Sequence, residues 1–247
     1  TFGGQLQLST RAHGYIYRPW IAKFDVLAGI FTNSQQFSID TLDEQSINQA
    51  ELNLSFNLFE RRKYPILLEI RALRDELSGV TDSNNDNLRI NISGKYRLDD
   101  KNAQLNYSYR EQTDHYSLDD RDLTIKSFDV NWQNRTEQNR WTANLLVHNQ
   151  SLSMMIKELE SEDVESSSDN AILTLGHSWF SESHSTVTNL LTLSNEKQNN
   201  ENTTGDNQRL QLTSFAILRN KEQPRLRYTL NLLADAVKNK IENVQLN

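Results

Sequence analysis

A chain of 247 residues with a net charge of −7 and only 36% hydrophobic residues has too little apolar content for a large dry core, since globular domains run nearer about 45–50%. The absence of cysteine excludes a disulfide framework, a thiolate nucleophile, haem attachment through CxxCH and a Cys-ligated zinc site. The acidic balance, with no continuous basic stripe, argues against nucleic acid as a partner, and no run approaches the roughly 18 apolar residues of a transmembrane helix.

The opening TFGGQLQLST has neither a basic nor an apolar leader region and does not read as a signal peptide. Residues 5–15 and 20–32 flank a tight connection at Arg18 and Pro19, with Trp20, Ala22, Phe24, Val26, Ala28 and Ile30 on one face. Leu52, Leu54, Phe56 and Leu58 alternate with Asn53, Ser55 and Asn57, turn through ERRKYP, and return as Ile66, Leu68, Ile70 and Ala72. In NLRINISGKYRLDDKNAQLNYSYREQ, Leu88, Ile90, Ile92, Tyr96 and Leu98 alternate with Arg89, Asn91, Ser93, Lys95 and Arg97. The beat then resumes at Ala103, Leu105, Tyr107 and Tyr109.

Residues 123–133 and 140–147 flank NRTEQN, with a bulge expected near Ser127, where the apolar phase slips from Ile125 to Phe128. Leu173, Leu175 and Trp179 turn through SESHS into 187–193. Residues 210–218 turn through RNKEQP into Leu226, Tyr228, Leu230, Leu232 and Ala234. A two-residue period is the signature of a half-apolar strand. The expectation is therefore about twelve strands of about 9–12 residues in six hairpins, with no helix beyond a turn or two in MMIKELESE. Tight turns are expected to alternate with longer polar connections such as SGVTDSNNDN, KELESEDVESSSDN and NEKQNNENTTGDNQ.

A soluble sandwich uses strands of about 5–6 residues, whereas a transmembrane β-barrel needs about 9–11, apolar outward and polar inward. The pattern predicts an all-β, antiparallel, up-and-down transmembrane barrel as a single domain over 1–247. Tyr15, Tyr17, Trp20, Tyr64, Tyr96, Trp132, Trp141 and Trp179 gather near the tight-turn ends, where a membrane interface would hold rings with a polar tip. Acidic residues (Asp40, Asp43, Glu44, Asp114, Asp119, Asp120) fall in the longer connections and basic ones (Arg61, Arg62, Lys63, Arg135, Arg219, Lys221) in the turns.

The six hairpins, the apolar stripe and the aromatic band resemble porin-like outer-membrane β-barrel proteins of Gram-negative bacteria. The resemblance is architectural and spans nearly the whole chain. It implies a place in the bacterial outer membrane, turns toward the periplasm, longer loops outside, and lipid bilayer and lipopolysaccharide as partners. The chain departs from the pattern in having 8 glycines and no terminal aromatic, ending ENVQLN. Both ends emerge on the long-loop side, so the parent barrel is expected to hold about fourteen strands or more, with one before Thr1 and one after Asn247.

No nucleotide, P-loop, zincin or hydrolase-elbow motif is present. His13, His115, His148, His177 and His184 are scattered, and His148 with Ser151 or His177 with Ser178 would project to opposite faces of a strand. Asp82, Asn84 and Asp86 begin like a calcium loop, but Asn87 and Ser93 stand where Gly and Glu are required; a solvated turn is expected, with no metal or cofactor. The polar face instead collects Arg71, Arg89, Lys95, Arg97, Arg110, Arg209, Arg225 and Arg227. Arg and Lys rings favour anions, so the expected function is a passive pore or export conduit with a partly cationic lumen and no catalytic residues. Alternatives are a sheath housing a lumen-filling or periplasmic partner (a lipoprotein plug or a multihaem electron carrier), a lipid-acting barrel enzyme, or a soluble extracellular β protein.

Overall fold

The computed structural model describes residues 2–36, 45–78, 83–97, 103–117, 120–155, 163–180, 185–200, 203–219 and 227–243. Twelve strands follow in order: β1 (Phe2–Ile16), β2 (Ala22–Gln36), β3 (Gln45–Leu58), β4 (Ile66–Ser78), β5 (Ser83–Arg97), β6 (Ala103–Tyr116), β7 (Arg121–Arg135), β8 (Asn139–Met155), β9 (Asp163–Phe180), β10 (Thr186–Asn200), β11 (Thr203–Arg219) and β12 (Arg227–Asn243). They form one antiparallel up-and-down sheet in which spatial order is chain order. No helix occurs among the described residues. The order ends at β1 and β12, so the sheet is not closed.

The strands are longer than expected, from 13 residues in β4 to 18 in β9. Several segments expected as long connections are strand. β10 ends at Asn200 and β11 begins at Thr203, and the ladder runs through Asn195 opposite Gln208 and Lys197 opposite Asp206 to Asn200 opposite Thr203. Residues 83–87, expected as a turn, begin β5, with Ser83 opposite Leu77 and Asn85 opposite Asp75; Asp82 lies outside the described residues. The reason is physical. Once a hairpin's register is set, each added pair satisfies backbone groups with no new loop to close, and Asn, Thr and Lys side chains stay wet on either face. The hairpins are therefore asymmetric in composition, apolar near the tight turns and polar at the far ends, rather than in loop length.

Asp122 and Lys126 meet His115 (2.6 Å) and Glu111 (3.3 Å), two pairs four residues apart on both strands. Asp114, expected in a connection, is instead a buried residue of β6 that accepts hydrogen bonds from Asn87 and Gln112. Of MMIKELESE, expected to form at most a turn or two of helix, Met154 and Met155 end β8, and 156–162 lie outside the described residues.

The chain divides into two compact units, one of residues 1–94, 109–126 and 150–167, the other of 95–108, 127–149 and 168–247. In the first, register aligns the apolar residues of β1 to β5 into rows. Ile16, Ala22, Leu58, Ile66 and Gly94 form one; Gly14, Phe24, Phe56, Leu68 and Ile92 the next; then Ala12, Val26, Leu54, Ile70 and Ile90; then Thr10, Ala28, Leu52, Ala72 and Leu88. The row after these is mixed: it holds Leu8, Ile30 and Ala50 together with Arg74 and Asp86, the last two 3.7 Å apart. In the row beyond, Thr32 donates to Asn48 (2.6 Å). The second unit repeats the scheme with Leu191, Leu212 and Ala234, and Leu193, Leu210 and Ala236. These give way to Asn195, Gln208 and Lys238, then Lys197, Asp206 and Lys240.

Among the described residues the buried hydrophobic ones are Ala22, Ala103 and Ala216, and no large side chain is fully buried. Leu8 is 64% exposed and Leu230 65%. In each unit, large apolar side chains of the strands stand exposed, a pattern uncommon over wide areas of water-soluble monomers.

Candidate functional site

The odd-numbered residues of β1 to β5 form the opposite, polar face. Arg11 grips Asp25 through two nitrogens, with Nε 3.2 Å from Oδ1 and Nη2 2.9 Å from Oδ2. Arg71 reaches Glu51 at 3.2 Å, Asn53 donates to the same Glu51 at 2.7 Å, and Asn91 donates to Glu69 at 2.9 Å. Arg71 and Arg89 stand directly opposite each other across β4 and β5. A cavity of about 310 Å³ opens here, lined by Asp25, Asn53, Ser55, Glu69, Arg71, Arg89, Asn91 and Arg110. Among the described residues, neither Arg89 nor Arg110 makes an ion pair.

In the second unit, Arg209 binds Asp235 through two nitrogens, Nε at 3.0 Å and Nη2 at 2.6 Å. Gln104 donates to Asn106 at 2.7 Å. Lys95 is on β5; Arg97 and Arg227 are on strands but their side chains lie outside the described set, and Arg225 lies outside it altogether.

The geometry thus sorts the expected cations. Arg71 and Arg209 are matched by carboxylates, while Arg89 and Arg110 are not. The acids Asp25, Glu51 and Asp235, absent from the expected lining, share the odd-numbered parity of their strands' polar positions and were legible by that signal. Direct opposition of like charges destabilises a ladder; Arg71 avoids part of the cost by leaning to Glu51.

Several aromatic residues stand at the tight-turn ends of their strands. Tyr17 (φ 67°) and Phe59 (φ 55°) adopt the left-handed conformation that the turns require. The Arg18 guanidinium lies 5.4 Å from the ring centres of both Tyr17 and Trp20. Phe59 and Tyr64 meet edge to face at 5.7 Å, and the Phe59 N–H donates to the Ile21 carbonyl (2.8 Å), tying the first two tight turns together. Tyr15, Tyr96, Trp141 and Trp179 are exposed, and Trp132 is half-buried. Lys23 donates to Glu60 at 2.5 Å, holding the Glu60 carboxyl below its usual range.

His177 and Ser178 are not brought together. His177 stacks on Trp141, with ring centres 3.8 Å apart, and its Nε2 lies 3.1 Å from Asn139 Oδ1. Ser178 bonds Thr188 at 3.2 Å. No group of three metal-ligating side chains occurs among the described residues. Comparison of the chain with protein-family models, with curated proteins and with solved structures finds no match in any of the three.

Proposed function

We propose that this chain is the membrane-crossing sheet of a porin-like β-barrel in a bacterial outer membrane, a passive pore or export conduit whose polar, partly cationic face lines water. One observation carries the reading: among the described residues, exposed apolar rows aligned by register, which give way toward the far ends to mixed and polar rows, back a charged face, and no large side chain is fully buried. Lipid is the medium that makes such a band favourable, because apolar area leaves water on insertion. The residues beyond the band then stand in headgroups and solvent, and the rings at the tight turns sit at the other interface.

The test has two stages. The protein is folded into lipid vesicles and washed with alkaline carbonate; retention in the bilayer is expected, and full release refutes membrane insertion. Single-channel recording then reads the lumen. Anion preference that falls when Arg89 and Arg97 are replaced by Gln supports the pore, whereas cation preference unchanged by those replacements removes the cationic path.

A further inference from the structure

We infer that the polar face of the first unit carries an oxyanion-binding site built from Arg71, Arg89 and Arg110 with the amides of Asn53 and Asn91. This deepens the pore reading by giving its solute a chemical class, a phosphate, sulfate or carboxylate group, and it rests on that face being wet.

Four features of the cavity converge. Arg71 and Arg89 are directly opposed at a ladder position where like charges repel, and Arg110 lines the same space. Two of the nearby acids are held by guanidiniums, Asp25 by Arg11 through two nitrogens and Glu51 by Arg71, whereas Glu69 accepts a hydrogen bond from the neutral amide of Asn91 and keeps its charge. Arg89 and Arg110 make no ion pair among the described residues, so against Glu69 the cavity keeps an excess of one positive charge. The cavity, about 310 Å³, has room for a small oxyanion and its water. A guanidinium presents paired N–H donors that match two oxygens of such a group, and an anion between Arg71 and Arg89 turns a repulsive pair into a bridged one.

The experiment is calorimetric titration of the full chain in detergent at fixed ionic strength, with inorganic phosphate, glucuronate and neutral glucose as separate probes. Saturable binding of phosphate alone assigns an inorganic anion, and binding of glucuronate assigns an acidic sugar; either supports the site. Arg89→Gln and Arg110→Gln are each expected to weaken that binding about tenfold or more, while Lys126→Gln, whose ammonium pairs with Glu111, leaves it unchanged. No saturable binding of either anion, or binding that both Arg variants retain, overturns the site. The measurement needs no membrane, so loss of binding and loss of conductance are separate results.

Discussion

Trp141 and His177 stack with their ring planes 28° apart, on neighbouring strands near the tight-turn end of the second unit. The pair explains why a histidine occupies a position in phase with Leu173, Leu175 and Trp179. Its ring completes an aromatic platform, and Asn139 receives its polar edge. Rings with a polar tip suit the boundary between lipid and water. Trp141→Ala is expected to destabilise the folded protein by about 1–2 kcal/mol, and His177→Phe, which keeps the stack, by less. Urea midpoints of the vesicle-bound protein measure both.

The two faces of β11 give a sharper contrast. Leu212 lies within the apolar band between Leu191 and Ala234, while its neighbour Gln211 faces Asp235 on the polar side. On the proposed reading Leu212→Arg places a charge in hydrocarbon and is expected to cost about 2–4 kcal/mol. Gln211→Arg, placed in water beside a carboxylate, is expected to stay within about 0.5 kcal/mol of the parent. Equal effects in vesicle unfolding would mean that the band does not face lipid.

Gly14 and Phe24 are opposed across β1 and β2, and the Phe24 ring covers the glycine: a Cβ built at Gly14 would lie 2.8 Å from Phe24 Cζ. Gly14→Ala must displace that ring and is expected to cost about 1–3 kcal/mol. Gly4 on the same strand has nothing within 4 Å, so Gly4→Ala is expected to be neutral or slightly stabilising through the unfolded state. Combining Gly14→Ala with Phe24→Leu should recover much of the loss, as read by thermal unfolding.

His115 stands near the far end of β6, in the polar extension beyond the apolar band. Its Nδ1 lies 2.6 Å from Asp122 Oδ1, and that hydrogen bond, aided by the nearby charges of Asp122, Asp120 and Asp86, raises its pKa above the usual 6.5. A raised pKa means that the charged imidazolium is favoured in the folded state. The stabilisation is full below the unfolded value and fades as pH rises through the folded one. Because the pair is largely exposed, the effect on stability is small. NMR titration in detergent micelles should give a His115 midpoint above 6.5 that Asp122→Asn moves down; a midpoint indifferent to Asp122→Asn would contradict the pairing.

How much of this was legible without coordinates differs by level. Strand count and parity follow from a two-residue period because alternate side chains must face opposite ways. Hence Leu54 and Ile70 were assignable to one face, and Arg71 and Arg89 to the other, from the chain alone. Strand ends were not legible, since polar segments such as NEKQNN carry no hydrophobic phase, and the ladder extends through them only because a partner strand is already in place.

The periodic sequence by itself determined the antiparallel hairpins, the two chemically distinct faces and the aromatic ends, all of which are local consequences of side-chain alternation and turn chemistry. Tertiary structure alone decided the register. Register places Arg71 against Arg89, leaves Asp235 to Arg209, and sets the Arg74 and Asp86 pair in the row of Leu8, Ile30 and Ala50. Those are relations between residues far apart in the chain, set by which strand pairs lower the free energy together, and no local pattern encodes them.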